Sequence, residues 1–106
     1  MISKPTKQPK KGSFVTLADW MVKKLNLNGD ELVVYAIVYS FSQDGSSCFR
    51  GSLRFISFWT GRSRPTVIKI LKLLLDKNYI FKKEINYTNL NTKYHYCEYR
   101  ANLSIL

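Results

Sequence analysis

Read for the spacing of apolar and polar positions, the chain divides near residue 14. Residues 1–13 carry Lys4, Lys7, Lys10 and Lys11 with Pro5, Pro9 and Gly12 and a single large aliphatic residue, Ile2. A stretch so poor in apolar side chains cannot offset the entropy of ordering, so a flexible basic arm is expected there and one folded domain over 14–106. Phe14-Val15-Thr16-Leu17 has strand-like chemistry, and Thr16 with Asp19 three residues on equally signals a short helix through Lys24, the reading preferred here. Asn28-Gly29-Asp30-Glu31 is a stronger start. Asn28 offers a side-chain acceptor to the first N–H groups, and the two acids complement the positive end of a helix over about Gly29 to Ser42. Leu32 to Tyr39 is apolar at every position, which predicts a central helix packed from all sides.

Gln43 to Ser47 reads as a turn and Cys48-Phe49-Arg50 as a short strand. Ser52 is the expected cap of a helix over Leu53 to Thr60, stopped by Gly61. After the turn Gly61-Arg62-Ser63, Ser63 is the expected cap of a further helix to about Lys77, with Pro65 in its first turn, where a missing N–H is harmless. Val67, Leu71, Leu74, Leu75 and Asn78 share one side of that helix, and Pro65, Lys69, Lys72 and Asp76 share the other. Asn78 tolerates a left-handed conformation and ends it. Tyr79 to Thr88 and Lys93 to Ala101 then read as strands around a turn at Asn89-Leu90-Asn91-Thr92. Trp20, Tyr35, Tyr39, Phe55 and Trp59 are read as core aromatics.

Composition adds a constraint on partners. The 106 residues hold 17 Lys and Arg against 7 Asp and Glu, a net charge of +10. That surplus is not spread evenly. Residues 14–45 are slightly acidic, whereas residues 46–83 set nine Lys and Arg against Asp76 alone, a surplus of +8. A concentrated basic block favours a polyanion. Two cysteines, Cys48 and Cys97, and one histidine, His95, cannot supply a four-ligand zinc site of Cys/His type, and no metal or cofactor is expected. The thiols are expected to stay reduced, as in a cytoplasmic protein. The longest apolar run is far short of the roughly 20 residues that span a bilayer. No nucleophile, base and orienting acid can be assembled around His95, and the glycines are accounted for by tail, caps and turns, so no enzyme is expected.

Two short helices joined by a three-residue turn form the unit that lets the second helix enter a DNA major groove while the first braces it. The candidate contacts on that second helix are Arg62, Ser63, Arg64, Pro65, Thr66, Lys69 and Lys72. Arginine grips guanine with two bonds, hydroxyls bond base edges or phosphates, and lysine reaches phosphate. The hairpin contributes Lys82, Lys83, Asn89, Asn91, Thr92, Lys93 and Tyr94. Two docking modes stay open: the helix reads bases, or the Asn-rich hairpin reads them while Arg62, Arg64 and Lys69 hold the backbone.

Ser52, Ile56, Gly61, Ser63, Thr66, Val67, Leu71, Leu74 and Ile80 together resemble the winged helix-turn-helix pattern of Gram-positive plasmid, conjugative-element and phage proteins, a resemblance that spans roughly residues 14–85. It departs at Ser57, Pro65 and Asn78. The resemblance implies an α+β winged helix-turn-helix fold, mostly helical with a C-terminal two-stranded β-hairpin wing. It also implies a sequence-specific double-stranded DNA-binding accessory protein that marks an origin of conjugative transfer and meets a relaxase or another origin-complex protein. A small transcriptional regulator, a replication-origin binder, a protein-docking adaptor, and an RNA binder stacking bases on Tyr87, Tyr94 and Tyr96 are the alternatives. So small a module is expected to act as a homodimer, with Trp20, Met21, Leu73, Leu103, Ile105 and Leu106 as interface candidates.

Overall fold

The computed structural model describes residues 11–50, 52–89 and 92–106, so most of the expected basic arm lies outside the described residues. Its elements are α1 (Asp19–Lys23), α2 (Gly29–Ser42), α3 (Leu53–Thr60), α4 (Arg64–Asp76), β1 (Ile80–Asn89), β2 (Thr92–Ala101) and a closing 3-10 turn, Leu103–Ile105. Four helices followed by an antiparallel hairpin make an α+β winged helix.

The apolar run in α2 has the predicted effect. Val34, Tyr35, Ala36, Ile37 and Val38 are all fully buried, although five consecutive residues sweep the whole circumference of a helix. Neighbours cover every side: α1, α3, α4 and β2 all pack against α2. From α4 come Val67, Ile70, Leu71 and Leu74, from α3 Phe55 and Ile56, and from the hairpin Ile80, Tyr99 and Ala101. The Tyr35 ring lies among Trp20, Tyr39 and Tyr79. Its hydroxyl is buried with no hydrogen-bond partner, and burial pushes its pKa up to about 12.

Several helix ends are built differently from the sequence expectation. The first helix starts after Ala18, whose carbonyl accepts the Met21 N–H at 3.1 Å; Thr16 stands outside it and exposed. Asn28 occupies the N-cap of α2 in extended geometry, but its side chain makes no capping bond, and its carbonyl meets the Leu32 N–H at 3.3 Å. Ser63 likewise caps α4 through its carbonyl, bonded to the Val67 N–H at 3.0 Å, while its hydroxyl lies 3.2 Å from that of Thr66. Asn78 does end α4 as expected, at φ 61. The Tyr79 and Asn78 N–H groups return to the carbonyls of Leu74 and Leu75, each at 3.0 Å, the paired bonds of a Schellman ending.

The strands pair from Ile80↔Ala101 to Asn89↔Thr92, one residue longer toward the tip on each side than the sequence pattern indicates. The expected strand at Cys48–Arg50 reduces to one bridge, Phe49↔Tyr99, with backbone bonds of 2.7 and 2.9 Å. β2 therefore lies between β1 and that bridge. The buried Ser42 hydroxyl donates to the Val38 carbonyl at 2.8 Å and accepts the Ala101 N–H at 2.9 Å, which locks the end of β2 to the last turn of α2. Asn102 closes the base of the hairpin, its amide donating to the Asn78 carbonyl at 2.9 Å. Beyond this base the hairpin projects, which helps to stretch the domain to 49 × 30 × 25 Å.

Of the expected interface residues, Met21 is core at 1% exposure and so cannot contact a second copy. Trp20, Leu103 and Ile105 are half-buried against the core, and Leu73 and Leu106 are exposed.

Two hydroxyls give opposite expectations. Ser42→Ala strands the Ala101 N–H in a buried site and should lower unfolding stability by about 1–3 kcal/mol. Tyr35→Phe removes an unpartnered hydroxyl and should leave stability unchanged or raise it. Thermal and urea denaturation of both variants checks the pair, and a destabilised Tyr35→Phe would contradict the packing described.

Candidate nucleic-acid interface

The turn between α3 and α4 is fixed by local chemistry. Gly61 adopts φ 71, a left-handed conformation, and its N–H bonds to the Ser57 carbonyl at 2.8 Å. The Thr60 hydroxyl donates to the Ile56 carbonyl at 3.0 Å and accepts the Arg62 N–H at 3.2 Å. With α3 ended and α4 begun three residues later, both helices turn apolar residues onto α2 and leave the outer side of α4 uncovered. Pro65 sits at the second position of α4, where the helix has no bond for its nitrogen to lose, so α4 runs unbroken to Asp76.

The exposed side of α4 carries Arg64, Pro65, Lys69 and Lys72, with Thr66 half-buried beside Ser63. These are the positions that the sequence places there. Ile68 and Leu73, exposed at 48% and 47%, lie on the same side. Ile68 is absent from the sequence reading, although its offset of four from Arg64 and Lys72 gives the signal. An exposed aliphatic group between cations is suited to the thymine methyl in a major groove. On α3, Arg54 is exposed and Phe58 is 59% exposed, so the bracing helix adds a cation and an aromatic edge that sequence reasoning did not single out.

The basic block is divided by ion pairs. Arg62 Nε lies 2.7 Å from Asp30 Oδ2, and Lys77 Nζ lies 2.8 Å from Glu31 Oε2. The two adjacent acids at the start of α2 thereby each engage a cation at one end of α4. Arg62 is thus held by a carboxylate, where the sequence treats it as open to DNA. Arg50 pairs with Glu98 at 2.8 Å, and Lys82 approaches Glu84 at 3.6 Å. Among the described residues Arg54, Arg64, Lys69, Lys72 and Lys83 form no ion pair. These are the cations for which phosphate faces no internal competitor.

On the hairpin, Lys82 and Lys83 point to opposite faces, as strand alternation requires. Asn89, Thr92, Lys93 and Tyr94 belong to the strands at the tip, and Asn91 falls outside the described residues. The Asn78–Tyr79 connection leads straight from α4 into β1, so the wing leaves from the C-terminal end of the exposed helix.

A family model described as a helix-turn-helix domain matches residues 25–80, just over half of the chain. The chain belongs to that helix-turn-helix family. The match runs from the turn before α2 to the first residue of β1, so it contains all three helices that position the exposed side of α4. Membership and the winged fold together support double-stranded DNA as the partner of this helix-turn-helix domain. No curated protein and no solved structure gives a significant match. Among the described residues no helix is long and apolar enough to cross a membrane.

Gly61 provides the test of the turn. A Cβ there meets nothing within 4 Å, so Gly61→Ala introduces backbone strain alone. It should cost about 1–2 kcal/mol of stability. Denaturation of this variant beside Gly61→Asn, which introduces a residue that tolerates the left-handed conformation and should cost less, checks the assignment.

Proposed function

We propose that this protein is a site-specific double-stranded DNA binder without chemistry of its own, which acts as an accessory factor at an origin of conjugative transfer. One observation carries the DNA-reading part: the exposed side of α4 sets Arg64, Lys69 and Lys72 beside Ile68, and none of these cations forms an ion pair among the described residues. Guanidinium for guanine, aliphatic for thymine and ammonium for phosphate is a complete vocabulary for a major groove. The helix, rather than the wing tip, is therefore assigned the base contacts. The process rests on the resemblance to plasmid and conjugative-element proteins, in which a small binder marks a site for a relaxase.

Selection of sites from a random double-stranded library at near-physiological salt tests this reading. A sharp motif is expected, recurring beside a relaxase gene. Recurrence at promoters or replication origins instead would reassign the process, and no enrichment at all would favour a docking adaptor. Arg64→Ala should relax preference at one position, costing about 1–3 kcal/mol on the selected site. Lys69→Ala should weaken all sequences alike and reduce the log–log salt slope by about one.

The reading includes a homodimer on DNA, since one exposed helix face spans too few base pairs for a unique site. With Met21 in the core, Trp20, Leu73, Leu103, Ile105 and Leu106 are the candidates for its interface. Light scattering should give twice the chain mass on DNA, and a monomer mass both with and without DNA would refute it.

A further inference from the structure

Midway along the wing, the strand register brings Glu84 of β1 together with His95 and Cys97 of β2. Glu84 stands directly across from Cys97, and His95 precedes Cys97 by two residues on β2, so all three occupy one face of the hairpin. Their ligand atoms, a carboxylate oxygen, an imidazole nitrogen and the thiol sulfur, lie within 4.8 Å of one another. We propose that Glu84, His95 and Cys97 form a transition-metal site on the wing, suited to Zn2+.

The geometry is close to what such a site needs. Bonds of about 2.0–2.3 Å in a tetrahedron put ligand atoms about 3.5 Å apart, so the three groups need draw in by only about an ångström. Glu84 and His95 are exposed, and Cys97 is half-buried at the edge of the core. The histidine is already oriented. Its Nδ1 lies 2.8 Å from Oδ1 of Asn86, the residue directly across the ladder. An amide oxygen only accepts, so Nδ1 carries the proton and Nε2 keeps its lone pair for a metal. A ligating histidine fixed through its second ring nitrogen is the usual supporting arrangement at metal sites.

The donor set selects the cation. Thiolate and imidazole favour Zn2+, Co2+ and related ions over Mg2+ and Ca2+, which take oxygen ligands. On binding, the Cys97 thiol loses its proton to solvent as the metal–sulfur bond forms. Thiolate and carboxylate together then balance a divalent charge. Three protein ligands leave a fourth position for water or an outside group. Lys82, 3.6 Å from Glu84 Oε1, competes for the carboxylate in an exposed pair too weak to exclude a metal, and the Tyr99 hydroxyl interacts with the Cys97 thiol. Ligands from both strands make the bound ion a staple across the hairpin, between the base held by the core and the tip.

Co2+ titration of the full chain reads the site optically. We expect one ion per chain, a thiolate-to-cobalt charge-transfer absorption, and displacement of Co2+ by Zn2+. The absorption should vanish in Cys97→Ser and persist in Cys48→Ser, with circular dichroism confirming that both variants are folded. Asn86→Ala, which touches no ligand bond, should weaken binding about 10–100-fold. Absence of the charge-transfer band, its loss in Cys48→Ser in place of Cys97→Ser, or unchanged affinity in His95→Ala would overturn the proposal. None of these readouts involves DNA, so the site stands or falls separately from the function proposed above.

Discussion

Everything in this domain is placed by the complete burial of α2. A helix with one apolar stripe tells a single neighbour where to sit, whereas Val34 to Val38 must be covered in all directions at once. Each fully buried aliphatic side chain contributes about 1.5–3 kcal/mol, and the neighbours that deliver this are α1, α3, α4 and β2 together. The exposed side of α4 is therefore a by-product of what its other side must do. With Val67, Ile70, Leu71 and Leu74 committed to the core, Arg64, Ile68, Lys69 and Lys72 are left outward and held by a rigid helix. Covering α2 and displaying α4 are the same act of packing.

Charge is divided along the same line. Two of the four acids of the N-terminal half, Asp30 and Glu31, sit at the start of α2, where they face the positive end of its dipole and also take up Arg62 and Lys77. Such half-exposed pairs add little to stability. Their effect is on which cations an approaching polyanion meets first. Arg62 comes with a carboxylate already beside it, so a phosphate can recruit it only by leaving Asp30 unpaired next to a negatively charged partner. Arg64, Lys69 and Lys72 carry no such penalty.

Much of this was legible in the sequence because single residues carried it. The unbroken apolar run of α2, the helix stops at Gly61 and Asn78, and the outward cations of α4 are local facts, and the structure has each of them where the sequence puts it. What escaped depends on pairs remote along the chain. Asp30 and Arg62 are 32 residues apart, and nothing in either neighbourhood announces the contact. Met21, read with Trp20 as part of an interface segment, turns inward as Asn26 at φ 57 folds the chain back and the Leu27 N–H returns to the Met21 carbonyl. Side-chain capping by Asn28 and Ser63 failed for a different reason: a residue type shows that a cap is possible, while the backbone carbonyl served in its place. The grouping of Glu84, His95 and Cys97 was implied by the turn at 89–92, which sets the observed register, but it escaped because Cys and His alone were weighed as metal ligands and the carboxylate across the ladder was left out.

The wing's anchorage has a mechanical consequence. Ten paired residues make an arm of about 30 Å, gripped at one end by the Phe49↔Tyr99 bridge and the Ser42 and Asn102 bonds. On a lever of that length, a tilt of about 6–7° at the grip moves the far end by about 3.4 Å, one base-pair step along a duplex. In the DNA complex proposed above, the register in which the wing would meet a groove would thus be governed by a few hydrogen bonds at the opposite end of the hairpin. Substitutions at Ser42 or Asn102, far from any nucleotide, would act as changes of aim.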